Sequence, residues 1–173
     1  MINLTLIIPT KKEAESLPTF LKELEDYNFN KLIVLQEEDT DTQKAIAKID
    51  NIDILVQKNP GYGNALKEGI EATKTEYCCI INADGSMNPK YLKLMLDKCK
   101  INDLVFCSRY EEGGGSDDDD IVTFIGNKIF TSIGNIFFRL NLSDILYTYI
   151  IGKTSSFKSL TLKYNDFRIC VEI

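Results

Sequence analysis

Short apolar runs separated by polar, turn-forming clusters recur along the first two-thirds of the chain. Leu4–Ile8 (LTLII), Lys31–Leu35 (KLIVL), Ile52–Val56 (IDILV), Tyr77–Ile81 (YCCII) and Asp103–Cys107 (DLVFC) are β-rich runs. Between them, apolar residues fall at helical spacing. In Lys12–Tyr27 they are Ala14, Leu17, Phe20, Leu21 and Leu24, and shorter helices are predicted at Gln43–Ile49, Asn64–Thr73 and Pro89–Lys100. Near-continuous apolar strands need cover on both faces, and strands that alternate with helices build a parallel sheet. The pattern predicts a single α/β domain with a mostly parallel central sheet flanked by helices. Ligands of such sheets bind outside the C-terminal ends of the strands. The polar clusters after Ile8, Leu35 and Ile81 fall there, as does Ser108-Arg109.

The pattern changes after residue 110. Glu111–Asp120 (EEGGGSDDDD) is glycine-rich and then acidic, the composition of a solvated loop. Phe124–Leu142 follows, with apolar residues at 125, 129, 133, 136, 137 and 140 and only Lys128 and Arg139 charged. This is an amphipathic helix with a wide apolar face. Three uses fit it: core packing, an in-plane helix on a membrane surface, or a dimer interface. Alternating apolar residues predict a terminal strand at Phe167–Ile173, where the chain stops without a polar tail and looks cut short. Residues 1–115 thus form an α/β core, and 116–173 a second portion of the same domain.

A length of 173 residues suits one domain, and a 44% hydrophobic, 27% charged composition is that of a soluble globular chain. With 20 Lys+Arg against 26 Asp+Glu the net charge is −6, so no nucleic-acid partner is expected. The five cysteines form no CxxC pair and read as reduced, buried thiols of a cytosolic protein. Met1-Ile2-Asn3 runs straight into a strand, so no secretory leader is expected. No stretch of 18 uncharged apolar residues occurs, so no membrane span is expected either. The absence of histidine narrows the chemistry most. It excludes Ser-His-Asp and Cys-His catalysis, HExxH zinc sites and a histidine base. An enzyme of this composition must work with carboxylates, a metal ion or binding geometry.

Four clusters carry candidate chemistry, each with a simpler structural reading beside it. Asn82-Ala83-Asp84-Gly85-Ser86 can place a carboxylate at a strand end to hold Mg²⁺ or Mn²⁺, or be an ordinary Asp-Gly turn. Gln36–Asp41 can meet a base or ribose, or be a solvated loop. In Lys58-Asn59-Pro60-Gly61-Tyr62-Gly63-Asn64-Ala65, glycines before a helix can let backbone N–H groups approach a phosphate. The segment is neither a Walker A motif nor a complete GxGxxG. Ser108-Arg109-Tyr110 offers a guanidinium for bidentate phosphate contact.

Together PTKKEAESL (9–17), LIVLQEEDTDT (32–42), NPGYGNALKEGI (59–70), YCCIINADGS (77–86) and CSRYEEGG (107–114) resemble the family 2 glycosyltransferases. The nearest branch is that of the dolichyl-phosphate mannose and polyprenyl-phosphate glucose synthases. DILYTY (144–149) is similar to that branch's D-x-x-T-C-Y segment. The resemblance implies a GT-A fold and an inverting, metal-dependent hexosyltransferase that uses Mg²⁺ or Mn²⁺. The hexose would pass from a UDP- or GDP-sugar to a polyprenyl or dolichyl phosphate at a membrane surface. Pro9 and Glu13 would line the nucleotide pocket, and Glu37 with Gln36 would contact the base. Lys58, Gly61, Gly63, Asn82 and Ala83 would complete the substrate site. Asp84 would be catalytic and a metal ligand with Ser86 nearby, Arg109 would bind phosphate, and Gly113–Gly115 would lie in the acceptor loop. The helix from Phe124 resembles an interface helix, which implies a cytoplasmic protein peripheral to the inner face of a membrane and leaves a homodimer open. The chain departs from the family pattern at Gln36-Glu37 (for Asp-Asp), at Glu38 and at Asn82 (for Asp). A degenerate or truncated nucleotide-binding relative without activity is therefore the alternative.

Overall fold

A computed structural model describes residues 3–115 and 120–173. The expected strands are β1 (Leu4–Pro9), β2 (Asn30–Leu35), β3 (Asp53–Val56), β4 (Tyr77–Ile80) and β5 (Leu104–Phe106). Pairing runs β3-β2-β1-β4-β6-β5, with β6 (Ile150–Lys153) inserted antiparallel between β4 and β5. The other five strands share one direction, so the mostly parallel sheet stands. The sheet lies between two apolar layers. On one face Leu6, Ile8 and Leu35 pack with α1 (Ser16–Glu23) and α4 (Leu92–Lys98) through Leu17, Phe20 and Met95. On the other, Ile7, Val34 and Ile80 pack with α3 (Tyr62–Ala72) and α6 (Thr154–Ser159) through Leu66, Ile70 and Phe157. Alternate strand residues thus face opposite layers, as a sheet covered on both sides requires.

The structure corrects three local expectations. The helix drawn from Lys12 begins at Ser16, because Lys12 adopts a left-handed φ of 61° and donates its N–H to Asp39 Oδ2 at 2.7 Å. Phe167–Val171 is a 3-10 helix rather than a strand, started by Asp166, whose carboxylate accepts the Arg168 N–H. Only Ile169 of that apolar alternation is buried, so period-two spacing there records one anchor and not a sheet face. Conversely, β6 was hidden by Gly152. A Cβ there would sit 2.5 Å from the Asp103 carbonyl oxygen, so the edge of the sheet closes only over a glycine.

The long helix α5 runs Ile121–Phe138 and ends where Arg139 turns left-handed at φ 54°. Asp120 caps its start by accepting the Thr123 N–H at 2.7 Å. Asp117, Asp118 and Asp119 of the acidic run lie outside the described residues. The apolar face is not core. Ile125, Ile129, Ile133, Ile136, Phe137 and Leu140 are all exposed, and only Thr131 and Gly134 are buried. Contact is made through the small side: a Cβ on Gly134 would meet Ile145 at 2.7 Å, and Thr131 Oγ1 accepts the Ile145 N–H. By length and composition alone this helix is also long and apolar enough to cross a membrane, with Lys128 its one charge.

The buried thiols make the stability of this core depend on alkaline pH. Burial pushes Cys78 from its ordinary 9.0 to about 12. It also pushes Cys99 to about 11. The folded chain keeps protons that the unfolded chain releases, so this contribution is full below about pH 9 and falls as pH rises toward 12. Urea midpoints should hold steady from pH 7 to about 8.5 and drop beyond it; a midpoint that rises there would contradict the burial.

Candidate active site

The sequence places its polar clusters at one sheet edge because β1, β2 and β4 run parallel and end together. Asp84 leaves β4 through a tight turn in which Gly85 takes φ 78°. Its carboxylate Oδ1 accepts both the Ser86 N–H, at 3.0 Å, and the Ser86 hydroxyl, at 2.6 Å. The Ser86 carbonyl in turn accepts the Tyr147 hydroxyl at 2.9 Å. Ser86 therefore orients Asp84, its hydroxyl being turned onto that carboxylate.

Two cavities meet at Asp84. The larger, about 710 Å³, is lined by Asp84, Ser86, Lys90, Arg109, Tyr147 and the Gly113–Gly115 arm, among others. The smaller, about 420 Å³, is lined by Pro9, Glu13, Gln36, Gly61, Asn82 and Ala83 besides Asp84. Tyr62, Asn82, Asp84 and Phe167 border both. A third hollow of about 550 Å³ continues past Glu13 and Gln36 to Lys12, Glu38 and Asp39. The expected site residues Pro9, Glu13, Gln36, Gly61, Asn82, Ala83, Asp84, Ser86 and Arg109 are thus brought together.

Three are not. Glu37 lines none of these cavities, and its carbonyl accepts the Gln43 side-chain amide at 3.0 Å. Lys58 lines none either, and its backbone N–H is spent on Glu68 at 2.8 Å. Gly63, read as part of a phosphate cradle, donates its N–H to the Asn165 carbonyl at 2.9 Å, and the Asn64 N–H follows at 3.3 Å. A Cβ on Gly63 would stand 2.6 Å from the Tyr164 carbonyl oxygen. The glycines of this segment receive the chain at 164–165, so the start of α3 is occupied by protein. Phe167 then stacks on Tyr62 with ring centroids 4.7 Å apart.

Arg109 is held by Asp144, an acid to which the sequence alone assigns no role. Asp144 is fully buried, and Arg109 meets it through Nε at 2.7 Å and a terminal nitrogen at 3.0 Å. The backbone N–H groups of Arg109 and Leu146 add a third and a fourth donor to the carboxylate. Arg109 also lies between the Tyr110 and Tyr147 rings, 5.2 and 5.3 Å from their centroids. Tyr62, also unassigned in the sequence, donates to Asn82 Oδ1 at 3.2 Å and shares a 3.1 Å hydrogen bond with Thr148. Burial raises the phenols of Tyr62 and Tyr147 well above their usual range, so both stay neutral.

Among the described residues no group of three or more acids, cysteines or histidines gathers to hold a metal. One carboxylate with a neighbouring carbonyl side chain, Asp84 with Asn82, suits a hard ion that keeps its waters and shares a diphosphate. It does not suit a cage that binds metal unaided.

The family model for glycosyl transferase family 2 matches residues 5–161. The chain belongs to this family. An uncharacterized glycosyltransferase of Mycobacterium tuberculosis is 34% identical over 102 residues, covering 58% of this chain and 46% of that protein. The glycosyltransferase AglJ of Haloferax volcanii is 26% identical over 173 residues, covering 97% of this chain and 56% of that one. The chain therefore spans about half the length of the curated relatives it matches. Among solved structures, glucosyl-3-phosphoglycerate synthase of M. tuberculosis with Mn²⁺, UDP-glucose and phosphoglyceric acid superposes with TM-score 0.71 at 19% identity. It covers 98% of this chain and 63% of that one. Mannosyl-3-phosphoglycerate synthase of Rubrobacter xylanophilus gives TM-score 0.70 at 16% identity, over 92% and 55%. At these identities the likeness is one of fold, and the expected GT-A domain is borne out for this family 2 chain.

Proposed function

We propose that this chain is the donor-binding catalytic portion of an inverting glycosyltransferase that takes a hexose from a UDP- or GDP-sugar to an anionic acceptor. The single observation that carries the reading is the meeting of two cavities at Asp84, one large enough for a nucleoside and the other for a sugar with its acceptor. The smaller cavity, with Pro9 and Gln36, would hold the nucleoside. Asp84, aimed by Ser86, with Asn82 beside it, would hold Mg²⁺ or Mn²⁺ against the donor diphosphate. That ion would neutralise the departing diphosphate. Mn²⁺ and UDP-glucose in the M. tuberculosis synthase support this assignment.

Inversion needs an acceptor oxygen to attack the anomeric carbon opposite the departing diphosphate. A phosphate acceptor is already an anion, so forming the new C–O bond while the old one breaks moves no proton. A chain without histidine, with neutral tyrosines in the cleft, is equipped for that and for little general-base chemistry. Arg109, fixed by Asp144, positions the cleft wall and lends it partial positive charge.

The acceptor in this proposal is a polyprenyl phosphate reached from a membrane surface in the cytoplasm, with the helix Ile121–Phe138 lying on that surface. Its exposed isoleucines and phenylalanines beside Lys128 and Arg139 support this. The related synthases act with phosphoglycerate, so a soluble phosphate monoester is the second acceptor to try. Radiolabelled UDP-glucose and GDP-mannose should be offered with Mn²⁺ and each acceptor in turn. Label in the lipid that depends on Asp84 supports the proposal; label only in phosphoglycerate rejects the membrane part. No transfer, with donor binding intact, favours a non-catalytic relative, to which Gln36 and Asn82 point.

A further inference from the structure

Among the described residues, three charged side chains line the cleft of about 710 Å³: Asp84, Lys90 and Arg109. Two of them already have tasks. Asp84 is bound by Ser86, and Arg109 is paired in bidentate fashion with the buried Asp144. Lys90 differs. Among the described residues no carboxylate lies within ion-pair distance of it, and its ammonium stands 4.8 Å from the centroid of the Tyr91 ring. Its backbone is pinned, since Lys90 N–H donates to Asn88 Oδ1 at 3.0 Å.

The neighbouring residue ties this lysine to the acceptor side. The Tyr91 hydroxyl donates to the Gly113 carbonyl at 2.9 Å, which holds the Gly113–Gly115 arm against the same helix start. Gly114 folds that arm back onto Arg109, because a Cβ there would stand 2.7 Å from the Arg109 carbonyl oxygen. Lys90 and the Arg109–Asp144 pair thus stand on two walls of one cleft joined by one arm. A compact, unpaired ammonium that lines a cleft is suited to a phosphate as a point charge.

Resting on the glycosyltransferase reading, we propose that Lys90 docks the phosphate monoester of the acceptor and so sets the enzyme's choice of an anionic acceptor. The Arg109–Asp144 pair shapes the wall it approaches. The lysine would act on acceptor binding and leave the donor nucleotide untouched, because it lines only the larger cavity.

The test compares the wild-type chain with Lys90→Gln and Lys90→Arg, in Mn²⁺ and saturating UDP or GDP. Two probes are titrated: 3-phosphoglycerate in solution, and polyprenyl phosphate in neutral phosphatidylcholine vesicles. Lys90→Gln should weaken the bound probe about tenfold, Lys90→Arg should restore it to within about threefold, and nucleotide affinity should not change in either. Lys90-dependent binding of the soluble probe, the vesicle-borne probe or both supports the inference and identifies the source of the phosphate. Unchanged probe binding in Lys90→Gln overturns it, as does a wild-type chain that binds nucleotide but neither probe. A wild-type chain that binds no nucleotide overturns the glycosyltransferase reading itself.

Discussion

Replacing Asp144 with Ala should destabilise the domain by about 3–5 kcal/mol, the cost of removing a fully buried carboxylate that takes a bidentate ion pair from Arg109. The Asp144 side chain is 0% exposed and that of Arg109 18%, so water can replace the lost contacts only in part, from the cleft side. The Leu146 N–H would lose its acceptor as well. For a chain of this size that is a fall in melting temperature of roughly 6–20 °C. Asp144→Asn keeps an acceptor oxygen and the shape while it removes the charge, so it should fall between Ala and wild type. Urea denaturation of the three proteins orders them. Equal stability of Asp144→Ala and wild type would show that the pair is not buried as described.

The second large effect concerns Gly61. Its φ of 115° is open to glycine and scarcely to any other residue, and a Cβ there would collide with the Asn165 carbonyl oxygen. Gly61→Ala should cost about 2–4 kcal/mol, backbone strain and the clash together. Gly85→Ala is the matched control. It shares a positive φ, 78°, but nothing lies within 4 Å of the added Cβ, so only the backbone preference of about 1–2 kcal/mol applies. A larger loss at Gly85 than at Gly61 would mean that residues 164–165 do not seat on the start of α3.

These two sites show what the sequence disclosed and what it withheld. The five parallel strands and their helices were legible because each apolar run is bounded by turn residues, and the central runs β1, β2 and β4 are buried on both sides. The edge carrying Asp84, Gln36 and Arg109 followed from topology alone, since strands of one direction end together. What escaped were contacts between distant segments. Asp144 looks like any acid between apolar residues until β6 turns its loop toward Arg109, thirty-five positions away. Gly61 and Gly63 have the composition of a phosphate cradle, but the chain at 164–165 fills the space they open. The helix Ile121–Phe138 was recognisable as amphipathic, yet its spacing could not say that its small side, Thr131 and Gly134, would face the protein and its isoleucines the outside.

In the function proposed, Asp84 holds a nucleoside diphosphate through a divalent ion. With one carboxylate there, metal and nucleotide should bind together and neither well alone. Isothermal titration of UDP and of GDP, with Mn²⁺ and with EDTA, tests this directly for the wild type and for Asp84→Ala. At least one nucleotide should bind in Mn²⁺, and EDTA or Asp84→Ala should weaken it about tenfold or more. Binding that is indifferent to both, or no binding of either nucleotide, would contradict it.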